Sequence, residues 1–152
     1  MPAAVRIQFG PALAERAAPA VPDAAARRLM VRAARAVLRH EKVASAELSI
    51  TLLDDAEIAQ MNGEFLAHEG VTDVISFALY EAGEDPVGDI YIGLEQALRQ
   101  AAANDVDPIE ELARLTVHGT LHVLGHDHPD GKDRLQSEMW RIQESIVAQV
   151  LA

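Results

Sequence analysis

The sequence DPIEELARLTVHGTLHVLG, residues 107–125, predicts the helix that carries the most informative motif of this chain. Asp107 is placed to cap this helix, and Pro108 suits its first turn, where a missing N–H costs no hydrogen bond. Gly125 is placed to end it, since glycine adopts the left-handed conformation that stops a helix and reverses the chain. The pattern therefore predicts one helix that runs through two histidines and is followed by a break over residues 125–131.

Strand and helix patterns precede this helix, and one further helix pattern follows it. Four β-forming runs predict strands: 5–9, 46–53, 71–79 and 88–92. The last two are expected to pair across a turn at Asp85 and Pro86. Helix-forming stretches predict four further helices: 22–41, one after Asp54 or Asp55, 94–104, and a last helix with an apolar stripe of Leu135, Met139, Ile142 and Ile146. Residues 11–22 are predicted as a loop, and the whole chain, 1–152, as a single mixed α+β or α/β domain of three or four strands and five helices.

The composition restricts the possible functions. The chain has 24 acidic and 13 basic residues, a formal charge of −11, and no cysteine. Thiolate zinc sites, disulfide scaffolds and cysteine nucleophiles are excluded, so any metal must be held by histidine and carboxylate. The charge argues against a generally basic nucleic-acid-binding protein. The amino terminus lacks the apolar core of a secretory signal, and no stretch approaches the roughly 18 apolar residues of a membrane span, so a cytosolic protein without a membrane partner is expected.

Three histidines follow the pattern His-x-x-x-His-x-x-Gly-x-x-His. His118 and His122 are four residues apart on a helix, so both imidazoles lie on one face and can bind one ion. Beyond Gly125, His128 can fold back as a third ligand, and this spacing is that of metzincin-type zinc sites. Three neutral imidazoles leave a fourth tetrahedral position for water, so the pattern predicts one catalytic Zn²⁺ per chain.

The residue after the first histidine distinguishes between kinds of zinc enzyme. Zinc peptidases with an HExxH motif have a glutamate there as general base, whereas this chain has Gly119. The nearest carboxylates along the chain are Glu111, on roughly the same helical face as His118, and Asp127, which could accept the second ring proton of a ligand histidine. Each also has a structural interpretation: Glu111 as a solvated residue near a helix amino end, and Asp127 as a residue that stabilises a turn. A peptidase would therefore lack its usual base.

The segment HGTLHVLGHDH, residues 118–128, resembles the signature of the YbeY family, single-domain zinc-dependent endoribonucleases implicated in ribosomal RNA maturation. Four other segments match the family in the same order along the chain: MNGEFL (61–66), TDVISF (72–77), GDIYI (88–92) and SEMWRIQ (137–143). The resemblance implies an α+β fold with a mixed four-stranded sheet and surrounding helices, and zinc bound by His118, His122 and His128. It also implies cleavage of single-stranded RNA, in processing of the 16S rRNA 3′ end and in ribosome quality control.

Two positions depart from the family pattern. Many members carry an arginine where this chain has Leu66, so a cation thought to face the active site and RNA is missing. His68, two residues further on, can substitute as a proton carrier or hydrogen-bond donor. His126 stands where a tyrosine is common and adds a titratable group at the rim. His68 and His126 are therefore the candidate catalytic residues, although both also fit solvent-facing loop histidines.

Basic residues concentrate in the first long predicted helix. Six of the 13 lie within residues 27–42 together with one acid, Glu41, which gives this segment a charge of +5 and the remainder −16. Four of the arginines, spaced by four, three and four residues, share one helical face: Arg28, Arg32, Arg35 and Arg39. We predict that this face binds RNA, because phosphate contacts dominate such affinity. A solvated helix face that balances nearby acids is the alternative.

Three functions are consistent with these features. The first is a YbeY-like zinc endoribonuclease acting on ribosomal RNA within the small ribosomal subunit, with a ribosomal protein or an assembly GTPase as a candidate partner. The second is a non-catalytic ribosome-assembly factor stabilised by zinc, which the missing arginine at Leu66 favours. The third is a zinc peptidase, which Gly119 disfavours.

Overall fold

The computed structural model describes residues 3–16, 21–127 and 137–152, which form one sheet and the helices around it. The strands of these residues are β1 (Ala4–Phe9), β2 (Glu47–Leu53), β3 (Val74–Ala78) and β4 (Val87–Gly93). The helices are α1 (Pro11–Glu15), α2 (Ala24–His40), α3 (Asp55–Leu66), α4 (Leu94–Ala103), α5 (Pro108–Val123) and α6 (Glu138–Leu151). No helix in these ranges is long and apolar enough to cross a membrane.

The four strands form one mixed sheet in the order β1-β2-β4-β3. β1, β2 and β4 run parallel, whereas β3 lies antiparallel to β4 at the edge. Ile50 of β2 pairs with Ile7 on one side and Ile90 on the other. Because side chains alternate along a strand, Ile50, Ile90 and Ile92 point to the same face, where all three are fully buried. The four-stranded mixed sheet, the α+β class and the predicted pairing of the third and fourth strands are confirmed.

Helix α5 lies at the centre of the molecule. It packs against β3 and β4 and also against α2, α4 and α6. Leu112, Leu115 and Val123 join the core that covers the sheet, whereas Val117 and Leu121 join a second core with α2 and α6. Because α5 packs into a core on each of two sides, it cannot rotate about its axis, and the directions of its remaining side chains are fixed.

Side-chain caps set the beginnings of the main helices. Asp54 accepts a hydrogen bond from the Glu57 N–H, and Glu57 accepts one from the Asp54 N–H, which forms a capping box at α3. Asp107 accepts from the Ile109 N–H at the start of α5, as predicted. Beyond α5, Gly125 has a φ of 99° and its N–H donates to the His122 carbonyl. This left-handed residue turns the chain away from the helix, which confirms the predicted stop.

Two glycines allow α5 to approach the sheet closely. A Cβ atom on Gly119 would lie 2.7 Å from Ile90 Cγ2 and 3.1 Å from Ser76 Oγ. A Cβ on Gly88 of β4 would lie 2.5 Å from Cγ1 of Val123. The Ser76 hydroxyl also donates to the Gly119 carbonyl at 3.1 Å. Helix and sheet therefore touch through backbone at the two positions where the sequence has no side chain.

The predicted loop over residues 11–22 is wrong in its first part, because Pro11–Glu15 forms the short helix α1. Pro11 occupies its first turn, Leu13 is buried, and the Ala12 N–H donates to Glu57. Tertiary contacts of this kind, which have no local signature, stabilise a helix too short to form alone. The described residues thus contain six helices instead of five. Leu135 of the predicted apolar stripe lies outside the described residues.

The close approach at Gly119 predicts the effect of a single methyl group. Gly119→Ala is expected to lower the free energy of unfolding by about 1–3 kcal/mol, because the core must shift to admit the methyl. Gly63→Ala, in α3, is the matched control: its Cβ would have no neighbour closer than 3.8 Å. Removing glycine from a helix there should instead stabilise the protein by about 0.5–1 kcal/mol. Urea denaturation measures both, and equal effects of the two substitutions would contradict the close packing.

Candidate metal centre and its cavity

A cavity of about 1160 Å³ opens between α5, α6 and the edge strand β3. Its wall includes His118 and His122 of α5, Ser76 of β3, and Trp140 and Gln143 of α6. Among the described strands, β3 is at the edge of the sheet, and the two histidines beside it line a space that a ligand can enter.

The two histidines of α5 meet at their Nε2 atoms. His118 Nε2 and His122 Nε2 lie 3.0 Å apart, and the ring centroids are 4.6 Å apart. His122 Nδ1 lies 3.0 Å from the backbone carbonyl oxygen of His126. A carbonyl can only accept, so Nδ1 of His122 carries a proton, and in the neutral ring Nε2 then holds the lone pair. The spacing of four residues on a helix therefore produces the predicted shared face.

This arrangement fits a zinc ion by its chemistry. Zinc binds imidazole nitrogen at about 2.0–2.1 Å, so two nitrogens 3.0 Å apart can both reach one ion. His128, the third predicted ligand, lies outside the described residues. Within residues 3–16, 21–127 and 137–152, no three His, Cys, Asp or Glu side chains are grouped so that they could hold one metal. The three-histidine zinc site therefore stays a prediction, of which two members are placed together.

His126, predicted as a catalytic residue, pairs through its Nε2 with the Glu41 carboxylate. Glu41 follows the last residue of α2 and also pairs with His40 Nδ1 at 2.8 Å. Burial raises the pKa of Glu41, but its hydrogen bonds to His126 and His40 outweigh burial and hold the pKa below its ordinary value. His126 is not among the described residues that line the cavity. Its backbone carbonyl nevertheless contacts the candidate ligand His122, and its ring joins the end of α2 to the loop after α5.

His68, the other predicted catalytic residue, is exposed in the loop after α3. Its N–H donates to the Asn62 carbonyl at 3.2 Å, next to Ala67, whose φ of 54° ends the helix. His68 is not among the described cavity residues either, whereas Leu66 lines the cavity and is 43 % exposed. The leucine that departs from the pattern of the resembled family thus places an apolar side chain at the cavity.

Gly119 faces the sheet. Since even a Cβ there would lie 2.7 Å from Ile90, a glutamate at this position cannot be accommodated without displacing the core. The absence of the HExxH glutamate is therefore a requirement of the packing of α5, and a peptidase-type base is excluded at this position.

Arg114 lines the same cavity and is surrounded by carboxylates. It donates to both oxygens of Glu144, at 2.8 and 3.0 Å, and to Glu110 and Glu111 at 3.1 and 3.2 Å. The hydrogen bonds with Glu144 raise the pKa of Arg114 despite its burial. Among the described lining residues, Arg114 is the only lysine or arginine. Its charge is compensated within the protein, so it is not available to a phosphate.

All four arginines of the predicted RNA-binding face of α2 are exposed, as their spacing predicts: Arg28, Arg32, Arg35 and Arg39. The guanidinium of Arg32 donates to the Val150 carbonyl of α6 at 3.1 Å. In the described parts of the chain, no carboxylate pairs with Arg28, Arg35 or Arg39. The face ends two residues before Glu41, which contacts the loop beside the histidines. RNA binding by this face stays a prediction.

Sequence reasoning missed Gln143, although a signal was present. Gln143 lies four residues after Met139 and three before Ile146, so it shares their buried side of α6 and is 1 % exposed. A buried polar side chain requires hydrogen-bond partners. Its Oε1 lies 2.6 Å from His118 Nδ1. A glutamine inside an apolar stripe thus indicated a polar contact, but only the fold shows that the contact is a candidate metal ligand.

The fold and the cavity define a single-domain α+β protein with a pair of histidines on its central helix, and comparisons with known proteins identify its family. Residues 14–151 match the family described as Endoribonuclease YbeY. The chain is 41 % identical over 134 residues to the endoribonuclease YbeY of Azorhizobium caulinodans, which covers 85 % of this chain and 83 % of that protein. Identity to the endoribonuclease YbeY of Desulfitobacterium hafniense is 38 % over 127 residues, covering 77 % and 80 %. This chain belongs to the YbeY family.

A solved structure has the same fold. The solution structure of a Thermotoga maritima protein superposes with a TM-score of 0.61 at 22 % sequence identity, over 96 % of this chain and 88 % of that one. At this identity the likeness concerns the fold alone, and it agrees with the mixed sheet described above.

The ion pair of Glu144 predicts a pH dependence of stability. Burial raises the pKa of Glu144, but hydrogen bonds from Arg114 and Gln143 and the charge of Arg114 hold the pKa below its ordinary value of 4.5. A carboxyl group with a lowered folded-state pKa stabilises the protein above its unfolded pKa, and this stability is lost as pH falls through the folded pKa. Glu144→Gln should therefore destabilise the protein at neutral pH, and its difference from the wild type should shrink on acidification through and below pH 4.5. Urea denaturation across this range, with the exposed Glu69→Gln as control, measures it; a constant difference would contradict the assignment.

Proposed function

We propose that this protein is a zinc-dependent endoribonuclease that cleaves single-stranded RNA during ribosomal RNA maturation, including the 3′ end of 16S rRNA, and in ribosome quality control. The observation that carries the proposal is the pair of Nε2 atoms 3.0 Å apart at an open cavity, in a chain whose relatives are named endoribonucleases. Paired imidazoles at a cavity are a metal-binding arrangement, and the family supplies the class of reaction.

His118, His122 and His128 would hold the zinc in this proposal. When bound, zinc supplies a Lewis acid for a phosphate oxygen and lowers the pKa of a coordinated water. The protein contributes a fixed position for the ligands. The contact between Gly119 and Ile90 holds α5 against the sheet, and the carbonyl of His126 orients the His122 ring.

The arginines of α2 would hold the RNA. Glu41, which follows α2, contacts His126, whose carbonyl contacts the candidate ligand His122, so the RNA would reach the metal centre from this end of α2. The cavity itself has Leu66 at its wall, and Arg114 there is engaged by three glutamates. The cations available for phosphate contacts therefore lie outside the cavity, on the exposed face of α2. In this proposal the partners are ribosomal RNA in the small subunit and a ribosomal protein or assembly GTPase that positions it, within the cytoplasm.

Proton transfer is assigned to His68 and His126. Both rings lie on loops, after α3 and α5 respectively, outside the described cavity wall. Alanine at either position should reduce RNA cleavage while leaving zinc content unchanged.

A second function, a non-catalytic assembly factor that zinc stabilises, is favoured by one observation. Leu66 lines the cavity and brings no charge to it, so a bound phosphate would have no arginine at that position. The two functions share the metal site and differ in whether RNA is cut.

The histidine pair predicts the effect of removing one ligand. His122→Ala is expected to abolish stoichiometric zinc binding and RNA cleavage, because only one of the two adjacent nitrogens remains. Metal content by elemental analysis and cleavage of a single-stranded ribosomal RNA fragment measure the two effects. His40→Ala, on the exposed end of α2, should change neither.

Full zinc content in His122→Ala would contradict the metal site. If zinc-loaded wild-type protein binds ribosomal RNA but does not cut it at any pH between about 6 and 9, the assembly-factor function is supported instead.

The arginine face predicts a change in the salt dependence of RNA binding. Arg28→Gln with Arg35→Gln removes two charges, two helical turns apart, that pair with no carboxylate in the described part of the chain. It should weaken binding and reduce the slope of log affinity against log salt by about 1.4. The control, Arg16→Gln with Arg99→Gln, removes the same charge from arginines that already pair with Asp54 and Asp55. Titration of single-stranded RNA at several salt concentrations measures both slopes. Equal slopes for the two double variants would mean that the α2 arginines face solvent and do not contact RNA.

A further inference from the structure

We propose that Gln143 is a positioning residue that fixes the ring proton of His118 on Nδ1 and directs its Nε2 to the metal. The inference rests on the proposed zinc site and concerns how one of its ligands is oriented. Gln143 is the last residue of the SEMWRIQ segment, which by itself assigns it no role, and the contacts of its side-chain amide carry the argument.

The amide of Gln143 has a different partner at each end. Its Oε1 lies 2.6 Å from His118 Nδ1, and its Nε2 donates to Glu144 Oε2 at 3.0 Å. With Gln143 only 1 % exposed, water cannot readily replace either partner. The orientation of the amide is therefore set by these two neighbours.

Glu144 determines which end of the amide faces it. Two hydrogen bonds from Arg114, at 2.8 and 3.0 Å, keep the Glu144 carboxylate ionised, so that it only accepts hydrogen bonds. The amide nitrogen of Gln143 must then face Glu144, and the amide oxygen must face His118. Since an amide oxygen only accepts, the donor in the 2.6 Å contact is the Nδ1–H of His118.

The consequence appears at the other side of the ring. A neutral imidazole with its proton on Nδ1 holds a lone pair on Nε2, and it is Nε2 that lies 3.0 Å from His122 Nε2. His122 reaches the same tautomer through a different acceptor, the carbonyl of His126. Both rings thus present an unprotonated nitrogen to the same point, one fixed by the backbone and the other by a side chain that Arg114 and Glu144 orient.

Gln143→Leu tests the proposal by removing the acceptor while keeping a buried side chain. Zinc affinity, measured by competition with a chromogenic chelator, is expected to fall about 10–100-fold, which is the usual cost of losing an outer partner of a ligand histidine. Ile146→Val, equally buried one turn further along α6, is the control and should leave the affinity unchanged.

A spectroscopic measurement reads the tautomer directly. Long-range ¹H–¹⁵N spectra of the metal-free protein should show His118 protonated on Nδ1 in the wild type. Gln143→Leu should show a mixture of tautomers. Glu144→Gln should do the same, because a neutral amide at 144 lets the Gln143 amide reverse. Circular dichroism establishes that each variant is folded, and Gln143→Met provides a second apolar substitution.

The outcomes separate this proposal from the proposed function. Unchanged zinc affinity and an unchanged His118 tautomer in folded Gln143→Leu and Gln143→Met would overturn the role of Gln143. The opposite result is a wild-type protein in which the His118 tautomer depends on Gln143 but which binds no zinc. That result would overturn the proposed zinc-dependent function and leave the positioning role of Gln143 supported.

Discussion

The contact between α5 and the sheet is the constraint on which the rest of the structure depends. Gly119 and Gly88 bring helix and strands together at distances that exclude even one methyl group, and Ser76 adds a hydrogen bond to the helix backbone. This contact orients the face of α5 that carries His118 and His122. Because the interior is close-packed, the histidines cannot shift without moving α5, so the rigidity of the candidate metal centre comes from apolar packing behind it.

A layer of hydrogen bonds connects this packing to the histidines. Arg114 orients Glu144, Glu144 orients the Gln143 amide, and the amide oxygen meets the His118 ring. The buried polar side-chain atoms of the described residues all have partners, as expected where unpaired groups would be costly. The same hydrogen bonds compensate the charge of Arg114 inside the cavity. Arg114 therefore helps to orient the candidate metal ligand and is not available to bind an anion.

The distribution of charge gives the surface two different parts. A net charge of −11 would repel RNA if it were uniform, but the face of α2 presents arginines without carboxylate partners among the described residues. That helix ends at Glu41, which contacts the loop beside the candidate metal centre through His126. In the proposed function, the arginines of α2 would bind the RNA outside the cavity, and cleavage would take place at the histidines that line it.

The sequence by itself determined the elements and the histidine pair, because helix caps, alternation and a spacing of four residues are local signals. It predicted the order of strands and helices, the stop at Gly125 and the exposed face of Arg28, Arg32, Arg35 and Arg39. The tertiary structure alone decided the helix at Pro11–Glu15, the strand order β1-β2-β4-β3 and the partners of His118. These depend on contacts between residues far apart in the chain. Gln143 and His118 are separated by 25 positions and meet only because α6 packs against α5, so no local pattern could specify their contact.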